Sequence, residues 1–286
     1  MIETSAPRAG VAGWPVAHSR SPTIHRYWLK ELGLPGSYER FAVRPEEFRE
    51  FAAKIGKDGL LGANVTVPHK EAAFMACDRR TAVAEALGAV NTLWREDGRL
   101  IGDNTDVAGF LANMDESASG WAKRGRLAVV IGAGGAARAI VYALISRGFE
   151  RVAIVNRTQA RAEALAAHFG DSTMALPWAG LATKLADAEL LVNASSLGMA
   201  GQPPLAIDLS ALPERAVVAD AVYVPLRTPL IEAARARGLR NVEGLGMLLH
   251  QAAPAFARWF GQRPQVTPTL RGLVEAEVLA AQEAAR

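Results

Sequence analysis

The tightest constraint on this chain is Gly132-Ala133-Gly134-Gly135-Ala136-Ala137, set between the apolar run Leu127 to Ile131 and the alanine-rich stretch Ala136 to Arg147. With Ala137 in the last slot it fits G-x-G-x-x-[GA], and its context is the one that pattern demands: a strand before, a helix after. Gly132 permits the tight turn, and Gly134 lets backbone N–H groups approach a pyrophosphate. Ala137 lets the helix pack closely on the strand, and the helix N-terminus favours the anion. Ala133, Gly135 and Ala136 complete the turn, and Gly148 ends the helix. Apolar strands then alternate with helices: Arg151 to Val155, a helix from Thr158 to His168, strands at Leu190 to Asn193 and Val217 to Ala221, and a helix over Thr228 to Gly238. That alternation predicts an α/β fold with parallel sheet covered on both faces, here a Rossmann-type dinucleotide-binding domain.

The end of the second strand decides which dinucleotide. About 20 residues after the first glycine, a site for NAD places Asp or Glu to bind the ribose 2′-hydroxyl. This chain has Asn156-Arg157-Thr158, with Arg161 one turn later. A carboxylate would repel a 2′-phosphate, whereas Arg157 and Arg161 can pair with one, and guanidinium also stacks on adenine. The sequence therefore predicts NADP over NAD.

A length of 286 residues predicts roughly two domains. The other one begins at the N-terminus. Ser21-Pro22 opens a helix to Leu32 with Ser21 as N-cap, Tyr38 to Val43 is a strand, and Pro45 to Ile55 is an amphipathic helix. Leu60 to Val67 reads as a buried strand, and Asp97-Gly98 turns a hairpin between Ala89 to Trp94 and Arg99 to Gly102. From Leu245 onward the pattern is helical, broken near Gly261 to Pro264. Four polar clusters interrupt this half: His18 to Pro22, Asn64 to Lys70, Gly88 to Thr92 and Gly102 to Asp106. Each sits at a strand end or helix start, where open α/β sheets hold ligands, and Asn64 and Thr66 alternate onto one side of a strand. From the residues alone this is an NADP-dependent oxidoreductase for a polyhydroxylated substrate.

These clusters, with Gly13 to Pro22, Gly88 to Leu93, the glycine turn, Asn156-Arg157-Thr158, Asn193 to Met199 and Gly244 to Gln251, resemble the shikimate dehydrogenase family over essentially the full length. The resemblance implies reversible, NADP-linked reduction of 3-dehydroshikimate to shikimate. It implies a substrate domain over 1–106 and 244–286, with the C-terminal helices packing back on it, and an NADP domain over 107–243. A cleft with cofactor on one wall and substrate on the other is expected between them. Lys70 and Asp106 match the family's catalytic pair, and the chemistry agrees. Hydride transfer to a ketone leaves an alkoxide that needs a proton, which a lysine ammonium can donate while Asp106 holds it in place. Asp106 also reads as an N-cap for the helix that follows. Ser19 and Ser21 match the paired hydroxyls for the substrate carboxylate and point to shikimate over quinate. Thr66, Asn91, Gln251 and Asn64 would bond ring hydroxyls, and Tyr223 would lie near the carboxylate. Ser195, Gly244 and Met247 fall in the stretches assigned to the cofactor, with Met247 against the nicotinamide ring.

The rivals are a quinate or mixed-specificity paralogue with looser NAD/NADP use, and a non-catalytic dinucleotide sensor; the latter predicts loss of Lys70 or Asp106, and both are present. The five histidines show no metal-ligand spacing, so no metal is expected. A net charge of +3 spread along the chain, and tryptophans without a ladder, predict no nucleic-acid partner. No apolar run approaches the ~20 residues of a membrane helix, and Met1 to Gly10, with Glu3, Thr4 and Ser5, lacks a signal-peptide core. The lone Cys77 predicts a buried thiol and a reducing compartment. A cytoplasmic monomer or homodimer with a small-molecule substrate is the expectation. Trp14 stands where such sequences more usually carry a small or polar residue.

Overall fold

The computed structural model describes residues 6–284; Glu3, Thr4 and Ser5 lie outside the described residues. The chain divides into two units. Residues through Thr105 with Leu249–Val274 form the first; Asp106–Leu248 with the chain from Glu275 form the second. The tail after Val274 thus groups with the second unit rather than the first, and Asp106 opens the second.

The first unit runs β1 (Arg8–Gly13), α1 (Ser21–Glu31), β2 (Ser37–Ala42), α2 (Phe48–Lys54), β3 (Leu60–Val65), α3 (Lys70–Ala76), β4 (Arg79–Arg80), α4 (Ala82–Leu87), β5 (Thr92–Glu96) and β6 (Arg99–Asp103). Its sheet has the order β2-β1-β3-β5-β6-β4. It is mixed: β5 pairs antiparallel with β6, as the Asp97-Gly98 hairpin signal predicts, and also with β3. The hairpin itself is the cause: Asp97 and Gly98, at φ 50° and 76°, take the left-handed pair that a two-residue turn needs. Three local expectations shift. Helix α1 begins at Ser21 with Arg20 in the cap position, so Ser21 is not the cap. A 3₁₀ turn at Pro45–Glu47 precedes α2. Strand β3 stops at Val65, leaving Val67 exposed.

The second unit runs α5 (Asp106–Ser117), β7 (Leu127–Ile131), α6 (Gly135–Ser146), β8 (Arg151–Val155), α7 (Gln159–Phe169), β9 (Thr173–Ala175), α8 (Leu181–Leu185), β10 (Leu190–Asn193), β11 (Val217–Asp220), α9 (Pro229–Ala236) and β12 (Arg240–Val242). Helices α10 (Leu245–Phe260) and α11 (Pro268–Ala284) close the chain. The sheet order is β12-β11-β10-β7-β8-β9, every pair parallel. Strands β7, β8, β10 and β11 are wholly buried apart from Arg151, and apolar on both faces up to the terminal Asn193 of β10 and Asp220 of β11, as a sheet covered twice requires. Chain order reverses between β7 and β10, which opens a crevice at their carboxyl ends. Among the described residues no helix is long and apolar enough to cross a membrane.

The second segment of the first unit completes that unit's core. Trp259 packs with Tyr38, Trp94 and Ile101, and its indole N–H donates to the Leu93 carbonyl at 3.1 Å. Gly62 makes this possible: a Cβ there would stand 2.0 Å from Trp259 Nε1 and 2.2 Å from the Leu93 carbonyl oxygen.

Candidate active site

In the second unit, the crevice between β7 and β10 holds a cleft of about 320 Å³. It gathers Gly132, Ala133, Gly134, Asn156, Arg157, Thr158, Arg161 and Ser195. Gly132 takes φ +116°, and a Cβ on it would meet the Ala194 carbonyl oxygen at 2.7 Å, so only glycine fits this turn. Gly134 and Gly135 face open space instead, with nothing within 4 Å of an added Cβ. Backbone at the start of α6, a twelve-residue helix, is therefore open to an anion. Asn156 Nδ2 donates to the Thr158 carbonyl at 2.9 Å, holding the loop after β8. Arg157 and Arg161 are exposed, and none of the described residues lining the cleft is acidic. Two guanidinium groups, a glycine turn and a free helix N-terminus together fit a dinucleotide carrying an extra phosphate.

The far wall of that cleft is braced. Ser195 N and Oγ both donate to Asn193 Oδ1, at 3.0 and 2.7 Å, and Asn193 Nδ2 donates to Asp220 Oδ1 at 2.9 Å. Asp220 also accepts from Val222 N and Thr228 Oγ1. Burial pushes its carboxyl up to about 6 against these three donors. Gly135 and Ala136 open α6 but do not line the cleft. Met247 is half-buried and Gly244 buried, and neither lines it. A Cβ on Gly244 would press on the Val222 carbonyl oxygen at 2.5 Å, so that glycine serves a close backbone approach. Trp178, Gln202 and Pro203 line the cleft unforeseen. Only Trp178, a large apolar residue beside Pro177 in a stretch without periodicity, left a signal in the sequence.

In the first unit a hydrogen-bonded network joins Asn64, Asn91 and Gln251 through Thr92 and Thr105. Asn64, buried on β3, donates from Nδ2 to the Asn91 carbonyl and to Thr92 Oγ1, both at 3.2 Å. Asn91 Oδ1 accepts from Thr92 Oγ1 at 2.9 Å and from Thr105 N at 2.9 Å. Thr105 Oγ1 lies 3.4 Å from Gln251 Oε1, which brings α10 into the set. Ser19 Oγ accepts from Ser21 N at 3.4 Å, and Arg40 holds the Ser19 carbonyl. Thr66 is half-buried just past β3, its methyl against Gly13. Lys70 opens α3 and is half-buried; its carbonyl accepts from Val90 N at 3.0 Å. The preceding His69 is locked by Val43, whose carbonyl oxygen lies 2.7 Å from Nε2, and by stacking on Phe48. Asp106 is the first residue of α5, within the helix rather than capping it. Tyr223, half-buried beyond β11, belongs to the second unit. Trp14 is exposed under the Arg44 guanidinium.

Comparison with known proteins decides the family. Residues 11–93 match the shikimate dehydrogenase substrate binding domain, 117–199 the shikimate / quinate 5-dehydrogenase model and 244–271 the shikimate 5′-dehydrogenase C-terminal domain. The chain belongs to the shikimate dehydrogenase family. Among members, the NADP(+) shikimate dehydrogenase of Methylocella silvestris is 60% identical, over 97% of this chain and 99% of that one. That of Azorhizobium caulinodans is 56% identical, over 96% and 97%. Of solved shikimate dehydrogenases, the Thermus thermophilus enzyme in complex with NADP(H) and shikimate aligns with a TM-score of 0.84 at 38% identity, covering 95% of this chain and 99% of that one. The Corynebacterium glutamicum quinate dehydrogenase in complex with NAD aligns at 0.86 with 30% identity, over 95% and 99%.

Proposed function

We propose that this protein is an NADP-dependent shikimate dehydrogenase that interconverts 3-dehydroshikimate and shikimate. The observation that carries it is the cleft at the reversal of strand order, where a glycine turn and two arginines meet without a carboxylate. In this reading Gly132 to Ala136 hold the pyrophosphate, Asn156, Arg157, Thr158 and Arg161 the 2′-phosphate and adenine, and Ser195, Gly244 and Met247 the nicotinamide end. Ser19, Ser21 and Tyr223 bind the substrate carboxylate, and Asn64, Thr66, Asn91 and Gln251 its ring hydroxyls. The bound dinucleotide serves as hydride donor and acceptor. Lys70 gives its proton to the ketone oxygen as negative charge develops there, and takes it back in the reverse direction. Asp106 holds the Lys70 ammonium and touches a substrate hydroxyl. The enzyme works in the cytoplasm, whose reducing conditions suit its buried Cys77, as a monomer or homodimer.

The test follows NADPH formation from shikimate and from quinate, with NADP and NAD in turn. Turnover confined to shikimate with NADP, falling roughly 10²–10⁴-fold in Lys70→Ala, is expected. Arg157→Ala should raise KM for NADP by roughly tenfold, the effect of losing one charge-assisted phosphate contact, while hardly changing KM for NAD. Equal turnover of quinate would make the protein the broader paralogue. A wild type inactive on both acids that still binds NADP would leave the sensor or a different substrate.

A further inference from the structure

Of the six tryptophans, all but one are packed against another ring or lie under a guanidinium, as Trp121 is stacked on Phe149 and Trp94 lies under Arg258. Trp178 is the exception: among the described residues no ring or guanidinium rests on it, and it is 42% exposed. Its backbone is nevertheless fixed. The turn Trp178–Gly180 is closed by Gly180 N, which donates to the Pro177 carbonyl at 2.9 Å, and it hangs between Leu176 and Leu181, both buried in the second unit's core. A lone exposed apolar side chain needs no explanation; its place does. Strand β9 runs parallel to β8 with Ile154 opposite Ala175, and Leu176 N extends the pairing by donating to the Ile154 carbonyl at 2.9 Å. Counting on in that register brings Trp178 level with Arg157, and the two line one cleft.

We propose that Trp178 is a cofactor-binding residue whose indole face takes the adenine of NADP. The inference rests on the functional reading above, which seats the pyrophosphate at the glycine turn and the 2′-phosphate at Arg157. Strand β7, which feeds that turn, flanks β8 on one side, and β9, which feeds Trp178, flanks it on the other. A dinucleotide that reaches from the turn across the end of β8 therefore points its base toward β9. An adenine ring is flat with two π-faces, and an indole is the largest flat surface a side chain can offer it. Arg157 answers charge, which selects the phosphate; Trp178 answers area, which holds the base through its face rather than its hydrogen-bonding edge. Stacking there also removes from water an indole face that the fold leaves wet.

The experiment is calorimetry of adenosine 2′,5′-bisphosphate, which carries the base and the 2′-phosphate without the nicotinamide. It is run on wild type, Trp178→Ala, Trp178→Phe and Arg157→Ala at low and high salt, with thermal melting on each. Trp178→Ala should raise Kd roughly 5–50-fold, the loss of one stacked base. That factor should be the same at both salt concentrations, whereas the Arg157→Ala factor should shrink as salt rises. Trp178→Phe keeps a smaller ring and should bring Kd back to within about threefold of wild type. KM for NADP should follow Kd, and KM for shikimate should stay within about twofold. An unchanged Kd in Trp178→Ala, a factor that shrinks with salt, no recovery in Trp178→Phe, or a loss accompanied by a collapsed melting temperature would each overturn the assignment. A wild type that does not bind the bisphosphate would instead remove the functional reading, and this inference with it.

Discussion

His25 is a fully buried imidazole with no hydrogen-bond partner at either ring nitrogen, caged by Trp28, Tyr38, Phe256 and Trp259. Burial lowers its pKa from 6.5 to about 3. Between those values the unfolded chain holds a proton that the native one refuses. Stability from the neutral ring is therefore complete above pH 6.5 and is lost as pH falls toward 3, by about 1.4 kcal/mol per pH unit. Denaturant titrations of wild type and His25→Phe across pH 7 to 5 check this. The gap between them should widen in favour of the variant as pH falls; parallel curves would mean that His25 protonates in place. That His25 is buried was readable from its spacing, since Ser21, Ile24, His25, Trp28 and Leu29 mark one face of α1. Its lack of partners was not, because they depend on β2 and α10, distant in sequence. Tyr38 is alike: alternation puts it inside the sheet, but only the fold puts Asn64 at its hydroxyl.

Gly62 shows how much two elements can depend on one missing carbon. Gly62→Ala would force Cβ into the Leu93 carbonyl, which belongs to the neighbouring strand and cannot give way as a side-chain end can. A loss of at least about 3 kcal/mol is expected, read as a lowered denaturation midpoint. At the glycine turn, Gly132→Ala should abolish NADP binding by calorimetry while leaving shikimate binding intact, since it strains the β7–α6 connection and the Ala194 backbone beside it, both in the second unit. Long, strongly patterned elements were legible: β7, β8, β10, β11 and α6 follow from unbroken apolar runs and one glycine turn. Short ones were not. Helix α8 and strands β4 and β9 carry no periodicity of their own and exist because neighbours pair with or cover them, whereas α4 is marked only by its caps, Thr81 and the left-handed Gly88. Serine before proline suggested a cap at Ser21, but α1 starts one residue earlier than that rule assumes.

A two-unit plan could be read from the glycine turn and the separate polar clusters. The destination of the chain's end could not, because an alanine-rich amphipathic helix fits any apolar surface. Each unit having its own core, ligands should protect them separately. In hydrogen exchange, NADP should slow amides of the glycine turn and of residues 156–161, and shikimate those around Ser19 to Ile24 and Asn64 to Lys70. Protection spread evenly by either ligand would refute that division. The first unit's divided sequence also has a cost in time. Its sheet is spelled by residues 8–103, yet Ala255 and Trp259, which cover that sheet, follow the whole run 106–248. At roughly 5–20 residues per second, a ribosome leaves the early strands waiting on the order of ten seconds for their lid. Throughout that interval the sides of Tyr38 and Trp94 that Trp259 covers stay open, so the first unit's core cannot close until α10 has been made.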